Sequence, residues 1–313
     1  MYPDGKPYYS LNYYLKQKFG TKVAKLPIDA GFSCPNRDGT ISTGGCTFCS
    51  PRGSGDFTQG SNYSISEQLE YGKDLIFKKW PQASFMPYFQ AYTNTYAPVA
   101  LLQQHYEEAL SFPHVVGLSI ATRPDCLGED IIVLLAQLQQ KTTLWVELGL
   151  QTSNEETAKK INRGYPTSVF EQGVFALHNK GIEVIAHVIL GLPGETIEDM
   201  LQTIFYLNKL PISGIKLQLL HVLSGTPMAE EYLKGNFSTL SQEEYTDILC
   251  QCIGHIRKDI VIHRLTGDGD PKHLLAPLWS LHKRNVLNTI HKELKQRKIT
   301  QGCFLSSNFN KLS

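Results

Sequence analysis

Short apolar runs alternate with longer amphipathic stretches along the first two thirds of the chain, and this alternation most constrains the fold. The apolar runs lie at residues 85–91, 115–121, 143–150, 183–190 and 214–220, with a further candidate strand at 25–32. The helix-like stretches between them cover residues 66–80, 98–110, 129–140, 168–180 and 197–207. Strand–helix alternation at this spacing predicts about six βα units and a parallel sheet.

Six such units can form an open doubly wound sheet or a partial barrel, and the strand ends favour the barrel. In a barrel, the carboxyl ends of the strands face one mouth, where functional side chains collect. Polar or charged residues follow the predicted strands, namely Gln90, Tyr92, Asn94, Arg123, Asp125, Gln151 and His221. We therefore predict an α/β protein whose residues 25–239 form a partial (β/α)6 TIM-like barrel.

Two further regions flank the predicted barrel. Residues 1–24 form a basic and aromatic N-terminal segment. Residues 240–313 form a C-terminal α/β extension packed on the barrel, with helices predicted at 240–260 and 281–298 and a strand at 261–265.

Composition limits the compartment and the partners. The net charge is +1, so any polyanion must be bound by local basic patches. No apolar run approaches the roughly 20 residues of a membrane span, and the N-terminus lacks a signal-peptide pattern. We therefore expect a cytoplasmic protein with no membrane association. Seven cysteines are an odd number, which argues against a disulfide framework in that reducing compartment.

Three cysteines, Cys34, Cys46 and Cys49, stand together after the first predicted strand. Eleven residues separate the first two, and two residues separate the last pair. Thiolates suit soft metals and iron–sulfur clusters, and nearby glycines let the backbone wrap closely around such a group. Three ligands leave one iron of a [4Fe–4S] cluster open to a chelating small molecule such as S-adenosylmethionine (SAM).

Two other interpretations of the cysteines stay open at this point. A structural zinc site needs four ligands, and the closest downstream candidates, His105 and Cys126, are distant in sequence. The three residues could also be free thiols. The remaining cysteines, Cys126, Cys250, Cys252 and Cys303, are expected to be ordinary thiols.

Five motifs carry a resemblance to a known family. They are the cysteine segment 34–49, Phe-Gln-Ala-Tyr-Thr-Asn-Thr-Tyr at 89–96, Ala-Thr-Arg-Pro-Asp at 121–125, Glu-Leu-Gly-Leu-Gln-Thr at 147–152 and His-Val-Ile-Leu-Gly-Leu-Pro-Gly-Glu-Thr at 187–196. The chain resembles the YhcC/YtqA-like radical SAM proteins, which are relatives of the catalytic subunit of the elongator complex. The similarity covers residues 5–300, and the long first cysteine gap matches this subgroup.

The resemblance implies a [4Fe–4S] cluster at the barrel mouth, with SAM across the strand ends. It implies cleavage of SAM to a radical with one electron from an external flavodoxin- or ferredoxin-type donor. The SAM-binding candidates that it implies are Phe48, Gln90, Tyr92, Asn94, Arg123, Glu147, Gln151, Gly191 and Gly194. Glu147 could instead form a structural ion pair with Arg123, and His187 is equally well read as a core histidine.

Two basic segments suggest an RNA partner. The first 25 residues carry Lys6, Lys16, Lys18, Lys22 and Lys25 among five tyrosines, with one acid. The predicted C-terminal helix carries six lysines and arginines against Glu293. Basic groups interleaved with aromatic rings suit phosphates and stacked bases, and we expect the two segments to lie close in space. A solvated helix face is the alternative for the second run.

The family resemblance points to the same partner and to a specific substrate. It implies tRNA whose wobble uridine carries a carboxymethylaminomethyl group, trimmed to aminomethyl and then methylated by a tRNA methyltransferase. Candidate substrate or catalytic residues are Lys216, Gln218 and His221 at the sixth strand, and Arg264 and Asp268 in a later turn. The alternatives are a radical SAM enzyme acting on a small metabolite or a peptide, and a non-catalytic zinc-binding module.

Overall fold

The computed structural model describes residues 1–305, which alternate between strands and helices as far as β6. The strands are β1 Val23–Ile28, β2 Ser84–Phe89, β3 Gly117–Thr122, β4 Thr143–Gln151, β5 Glu183–Leu190, β6 Gly214–Leu219, β7 Val222–Leu223, β8 Val261–Arg264 and β9 Leu274–Ala276. The helices are α1 Leu11–Phe19, α2 Ile65–Phe77, α3 Val99–Ser111, α4 Glu129–Lys141, α5 Glu155–Lys160, α6 Thr167–His178, α7 Ile197–Leu207, α8 Pro227–Leu233, α9 Gln242–His255 and α10 Lys283–Gln296.

One curled parallel sheet carries the fold. Its strand order is β1-β2-β3-β4-β5-β6-β8, and each neighbouring pair is parallel. Alternate residues of each strand pack outward against the helices, in a core that includes Leu26, Phe89, Val146 and Leu217. The other residues point into the barrel. The predicted partial barrel is confirmed, with one strand more than the six expected, because β8 joins the sheet beside β6.

The interior of the barrel is built in layers, as in complete (β/α)8 barrels. At the amino end of the strands, Val23, Met86, Trp145 and Ile185 pack with Leu15 of α1, and these five residues form the apolar floor. Above the floor lies a ring of polar side chains that we call the charged layer. Its members are Lys25, Tyr88, Ser119, Glu147, His187 and Lys216.

Helix α1, which the sequence did not reveal as a helix, bridges the two edges of the sheet. Just before it, Ser10 pairs with Ile262 of β8, and Ile262 donates its N–H to the carbonyl of Tyr9. The helix begins where the Ser10 hydroxyl accepts the N–H of Tyr13 and ends at Gly20, whose left-handed backbone accommodates the turn toward β1. The N-terminal segment thereby helps to close the gap between β8 and β1.

The C-terminal region packs against this barrel. Helix α9 begins at a capping box formed by Ser241 and Glu244, packs on α7, and is followed by β8. Helix α10 packs on α9, and a short antiparallel pair, β7 and β9, lies beside the sheet. The predicted helices and strand of this region are confirmed as elements. No helix within residues 1–305 is both long and apolar enough to span a bilayer.

Candidate active site

The cysteine loop lies in the long segment between β1 and α2, at the carboxyl ends of the strands. Backbone hydrogen bonds hold it in place. Gly45 donates to the carbonyl of Asn36, Cys49 donates to that of Cys46, and Thr47 donates to that of Ile161 at the end of α5. The side chain of Asn36 ties the same loop to Asn162, at 2.7 Å from the carbonyl oxygen. These contacts place the three cysteines beside the mouth of the barrel.

The three half-buried cysteines lie near enough to affect one another electrostatically. Burial and the neighbouring thiols of Cys49 and Cys34 raise the pKa of Cys46 to about 12, although Arg123 opposes the shift. Burial also raises the pKa of Cys49 against the effect of Arg37. The thiolate forms of Cys46 and Cys49 are therefore disfavoured without a compensating positive charge, which the irons of a cluster would supply. The Asn36 side-chain nitrogen lies 3.6 Å from Sγ of Cys46, as hydrogen-bond donors around cluster ligands do.

Cys34, Cys46 and Cys49 do not converge as ligands of a single metal ion. Within residues 1–305, no three His, Cys, Asp or Glu side chains converge as ligands of one metal ion. In a [4Fe–4S] cluster each cysteine binds a different iron, so its ligands need not meet at one point. The donor set therefore fits a cluster better than structural zinc.

Two strand-end side chains sit on strained backbone at the mouth. Tyr92 has φ of 60° and Gln151 has φ of 66°, a region that favours glycine. Tyr92 is fixed by its hydroxyl, which donates to the carbonyl of Pro51 at 2.6 Å, and by its ring, which packs directly over Gly53. A Cβ at Gly53 would stand 2.3 Å from that ring, so only glycine fits there. Such strain at a cleft is typical of binding sites.

Several buried polar atoms at this end have no partner within the described chain. They are Oδ1 of Asn36, Oδ1 of Asn94 and Oε1 of Gln151. Leaving a buried acceptor without a donor costs about 1–3 kcal/mol, so such atoms indicate a missing ligand or water. Asn94 and Gln151 are two of the residues that the sequence assigned to SAM. Gln90, in contrast, donates to the carbonyl of Ser54.

Arg123 is held by its neighbours. It forms a two-point ion pair with Asp125, at 2.9 and 2.6 Å, and donates to the carbonyl of Arg163 at 3.0 Å. The ion pair raises the pKa of Arg123 despite burial, so the guanidinium stays charged beside the cysteines. The alternative ion pair between Arg123 and Glu147 is wrong, because each residue has other partners.

The remaining residues assigned to SAM surround the same mouth. Phe48 packs against an apolar cluster that includes Ile189 and Leu220. Gly191 and Gly194 follow β5 with φ of 84° and 85°. A Cβ at Gly191 would stand 2.8 Å from Leu240, whereas the surroundings of Gly194 are open, with Lys160 nearest at 3.8 Å.

Glu147 lies deeper than its assignment to SAM implied, in the charged layer. Its carboxylate is fully buried and forms ion pairs with Lys25 of β1 and Lys216 of β6. It also accepts a hydrogen bond from Ser119 at 2.8 Å and contacts Nε2 of His187 at 2.6 Å. Both carboxylate oxygens are thereby engaged by the protein. Lys25, which the sequence analysis grouped with RNA-binding lysines, belongs instead to the barrel interior.

Electrostatics follow from this burial. Burial acts to raise the pKa of Glu147, but Lys216 and Lys25 outweigh it and hold that pKa well below its usual range. Burial lowers the pKa of Lys216 to about 7, and Glu147 offsets this only in part. Burial, with Lys216, lowers the pKa of His187 to about 4, so its ring is neutral at pH 7. The charged layer therefore contains one carboxylate facing two lysines.

A cavity of about 680 Å³ leads from the mouth to the charged layer. Its wall includes Gln218 and Lys216 of β6. His221 contacts the Ser280 hydroxyl at 3.1 Å, and burial lowers the pKa of His221 to about 4, which disfavours a proton-carrying role at neutral pH. Asp268 is engaged by Arg264 at 3.2 Å and by Lys283 of α10. The sequence-derived substrate candidates therefore line one cavity.

The two basic segments at the chain ends meet in space. The hydroxyl of Tyr8 lies 3.0 Å from Nε2 of His291 on α10, and the Gln301 side chain accepts the N–H of Tyr9 at 2.8 Å. Tyr2 and Tyr9 stack with ring centroids 5.3 Å apart. We call residues 1–22 together with α10 the chain-end surface. These contacts confirm that the two basic segments lie close together.

Sequence reasoning missed the charged layer as a unit. Ser119, Tyr88 and Lys25 lie on three different strands and belong to no motif. A signal was available, since a lysine or glutamate within an otherwise apolar strand is rarely tolerated in a barrel core without partners.

Comparison with known proteins places these features in a family. Residues 38–207 match the model of the radical SAM superfamily, and residues 212–296 match that of the radical SAM C-terminal domain. The chain is 46% identical to YtqA of Bacillus subtilis over 96% of its length and 93% of that protein. It is 38% identical to YhcC of Escherichia coli, covering 93% of each.

More distant relatives extend the comparison. A tRNA uridine(34) acetyltransferase of Methanocaldococcus infernus is 25% identical over 60% of this chain and 35% of that protein. The solved structure of Elp3 from the same archaeon superposes with a TM-score of 0.69 at 18% identity, covering 90% of this chain and 64% of that one. That superposition confirms the fold. This chain belongs to the radical SAM superfamily, whose enzymes use a [4Fe–4S] cluster and SAM.

Proposed function

We propose that this radical SAM enzyme modifies the wobble uridine of tRNA, converting its 5-carboxymethylaminomethyl group to aminomethyl. The nitrogen–carbon bond to the carboxymethyl group would break, and the two-carbon unit would leave as glyoxylate, with water as the oxygen source and SAM as the two-electron oxidant, itself reduced to methionine and 5′-deoxyadenosine. The observation that carries the proposal is the chain-end surface, where the tyrosine-rich N-terminal segment meets the basic helix α10 through Tyr8 and His291. Basic groups beside aromatic rings suit RNA backbone and bases. Relatives that are named as tRNA uridine(34) acetyltransferases support the same partner.

The residues that would hold the cofactors surround the mouth. Cys34, Cys46 and Cys49 would ligate the cluster, and Asn36 would donate to a ligand sulfur. Asn94 and Gln151 would offer their unpartnered oxygens to SAM. Phe48, Gln90, Tyr92, Arg123, Gly191 and Gly194 would complete the SAM site. When bound, the cofactors supply the hydrogen-abstracting radical chemistry of the superfamily.

The chain's own residues would then position the substrate. The cavity below the mouth is large enough for a modified base, because it approaches the size of sites for small ligands. Its depth separates the reacting group from bulk water. The proposal also includes an external one-electron donor and a tRNA methyltransferase that acts on the aminomethyl product.

Mass spectrometry of tRNA nucleosides tests the proposal in cells. We expect a strain without the gene to accumulate 5-carboxymethylaminomethyluridine and to lose the aminomethyl nucleoside and its methylated derivative. Restoring the gene should reverse the change, as should a Cys303→Ala variant, because Cys303 is exposed and distant from the loop in sequence. Variants Cys34→Ala, Cys46→Ala and Cys49→Ala should fail to restore it. Unchanged wobble nucleosides would refute the tRNA assignment and favour a small metabolite or a peptide.

A further inference from the structure

The cavity is strongly positive. Among its lining residues are six lysines and arginines but only two aspartates. The cations are Lys6, Lys22, Lys25, Lys216, Arg264 and Lys283, and the acids are Asp56 and Asp268. Asp268 is already paired with Arg264 and Lys283, and Asp56 accepts from Ser50. A cleft lined by one sign of charge concentrates ligands of the opposite sign.

The charged layer lies deep in the cavity and carries one excess positive charge when both of its lysines are protonated. There Glu147 alone faces Lys25 and Lys216, and His187 is neutral. A lysine has three N–H donors. Lys25 donates to Ser119 and Glu147, and Lys216 donates to Tyr88 and Glu147. When protonated, each lysine therefore keeps one donor that these acceptors do not engage.

These donors are accessible from the cavity. Lys25 and Lys216 both line it, whereas the Glu147 carboxylate beneath them is fully buried. The two lysines reach opposite oxygens of Glu147, so their Nζ atoms stand on either side of one carboxylate. The apolar floor closes the barrel below. Lys25 and Lys216 therefore lie directly above the floor residues Leu15 and Val23, which also line the cavity.

We propose that Lys25 and Lys216 form a carboxylate-binding subsite at the bottom of the barrel, which receives the acidic end of the substrate's side chain. This inference rests on the proposed function, because the substrate named there carries a carboxymethyl group. Each strand residue advances about 3.3 Å, so the charged layer lies about 13 Å below Gln151 along β4. That depth separates the subsite from the strand-end residues that would bind SAM.

Binding to synthetic anticodon stem-loop RNAs tests the subsite on the reconstituted holoenzyme. One RNA carries a carboxymethylaminomethyl group on the wobble uridine, and a matched RNA carries the corresponding carboxamide, which has the same shape without the charge. We expect the native enzyme to bind the carboxylate RNA about tenfold more tightly, a difference of about 1.4 kcal/mol. In Lys216→Met and Lys25→Met the two affinities should become about equal.

Controls separate a charge effect from damage to the fold. Lys216→Arg should keep the preference, as should Lys180→Met, which changes an exposed lysine at the end of α6. Absorbance near 400 nm and circular dichroism report whether each variant keeps its cluster and fold. The affinity for SAM should be unchanged in Lys216→Met. If the affinity for SAM fell as much as the affinity for RNA, the subsite would belong to the SAM carboxylate and the proposal would be overturned.

The outcomes distinguish this inference from the proposed function. RNA binding without a carboxylate preference would overturn the subsite alone, as would a preference that survives both lysine-to-methionine changes. Failure of the native enzyme to bind either RNA would overturn the tRNA assignment and the subsite together.

Discussion

At the scale of single residues, burial controls the chemistry around the mouth. Glu195, between β5 and α7, shows this outside the proposed cofactor ligands. It accepts a hydrogen bond from Thr152, yet burial raises its pKa to about 7. Because an ionised carboxylate loses hydration on burial, the folded state holds a proton that the unfolded chain would release.

Replacing Glu195 with glutamine should therefore change how stability depends on pH. The folded pKa lies above the unfolded value of 4.5, so the contribution of the native carboxyl is complete below pH 4.5 and is lost as pH rises through 7. As the pH is raised from 5 to 8, we expect the native protein to lose stability relative to Glu195→Gln. The expected loss is on the order of 1–2 kcal/mol after allowance for partial exposure. Urea unfolding at the two pH values measures the difference.

The matched control is Glu198→Gln, which changes an exposed acid on the first turn of α7. Its stability difference from the native protein should be the same at both pH values. If the stability difference from the native protein depended on pH equally in both variants, the burial of Glu195 would not be the cause of that dependence.

Single residues also mark the limit of what the sequence revealed. Cys34, Cys46 and Cys49 were identifiable because their spacing is itself a chemical signal. Lys25 was assigned to a surface because basic residues precede it in sequence. Side chains alternate between the two faces of a strand, and the side chain of Lys25 in β1 points into the barrel. Contacts between side chains on neighbouring strands depend on the register between the strands, and the sequence of a single strand does not specify that register.

At the scale of elements, the strands and flanking helices were predictable because apolar periodicity is local. Helix α1 was missed, since four of the nine residues in Leu11–Phe19 are Asn, Lys or Gln and the helix holds its place through tertiary contacts. Its Tyr14 donates to Glu183 at 2.7 Å, and Trp145 donates to the same carboxylate at 3.0 Å. Strand β8 was predicted as a strand, but its place in the sheet depends on a partner far away in sequence.

A substitution in α1 should show how far this helix supports the barrel. Leu15 is buried in the apolar floor with Val23 and Ile185. We expect Leu15→Ala to lower the free energy of unfolding by about 2–5 kcal/mol, because the lost methyl groups leave a cavity. Lys16→Ala, on the exposed side of the same helix, should change it by less than about 0.5 kcal/mol. Equal effects of the two variants in urea unfolding would contradict the packing role of α1.

At the scale of the whole molecule, a nearly neutral chain presents a locally basic face. Lys292 and Lys295 are exposed on α10, which meets the N-terminal segment through Tyr8 and His291. Net charge did not reveal this surface, because acidic groups elsewhere balance it. The sequence did contain both basic runs, but their contact depends on the closed barrel.

Salt dependence of tRNA binding tests the chain-end surface. Each lysine–phosphate contact releases counterions, so the logarithm of affinity falls with the logarithm of salt concentration. We expect the double change Lys292→Gln and Lys295→Gln to weaken binding and to reduce this slope by about 1–2. The control pair Lys78→Gln and Lys180→Gln, at the ends of α2 and α6, should leave the slope unchanged. A slope that responds equally to both pairs would indicate nonspecific attraction.

The pairing of Ser10 with Ile262 also has a consequence for biosynthesis. The ribosome releases the N-terminal segment about 250 residues before the strand that receives it. At typical elongation rates this interval is on the order of tens of seconds. During it, the apolar side of α1 has no complete docking site, and the nascent sheet keeps an open edge that invites misassembly. The barrel therefore closes only after most of the chain has been synthesised, when the last parallel strand has left the exit tunnel.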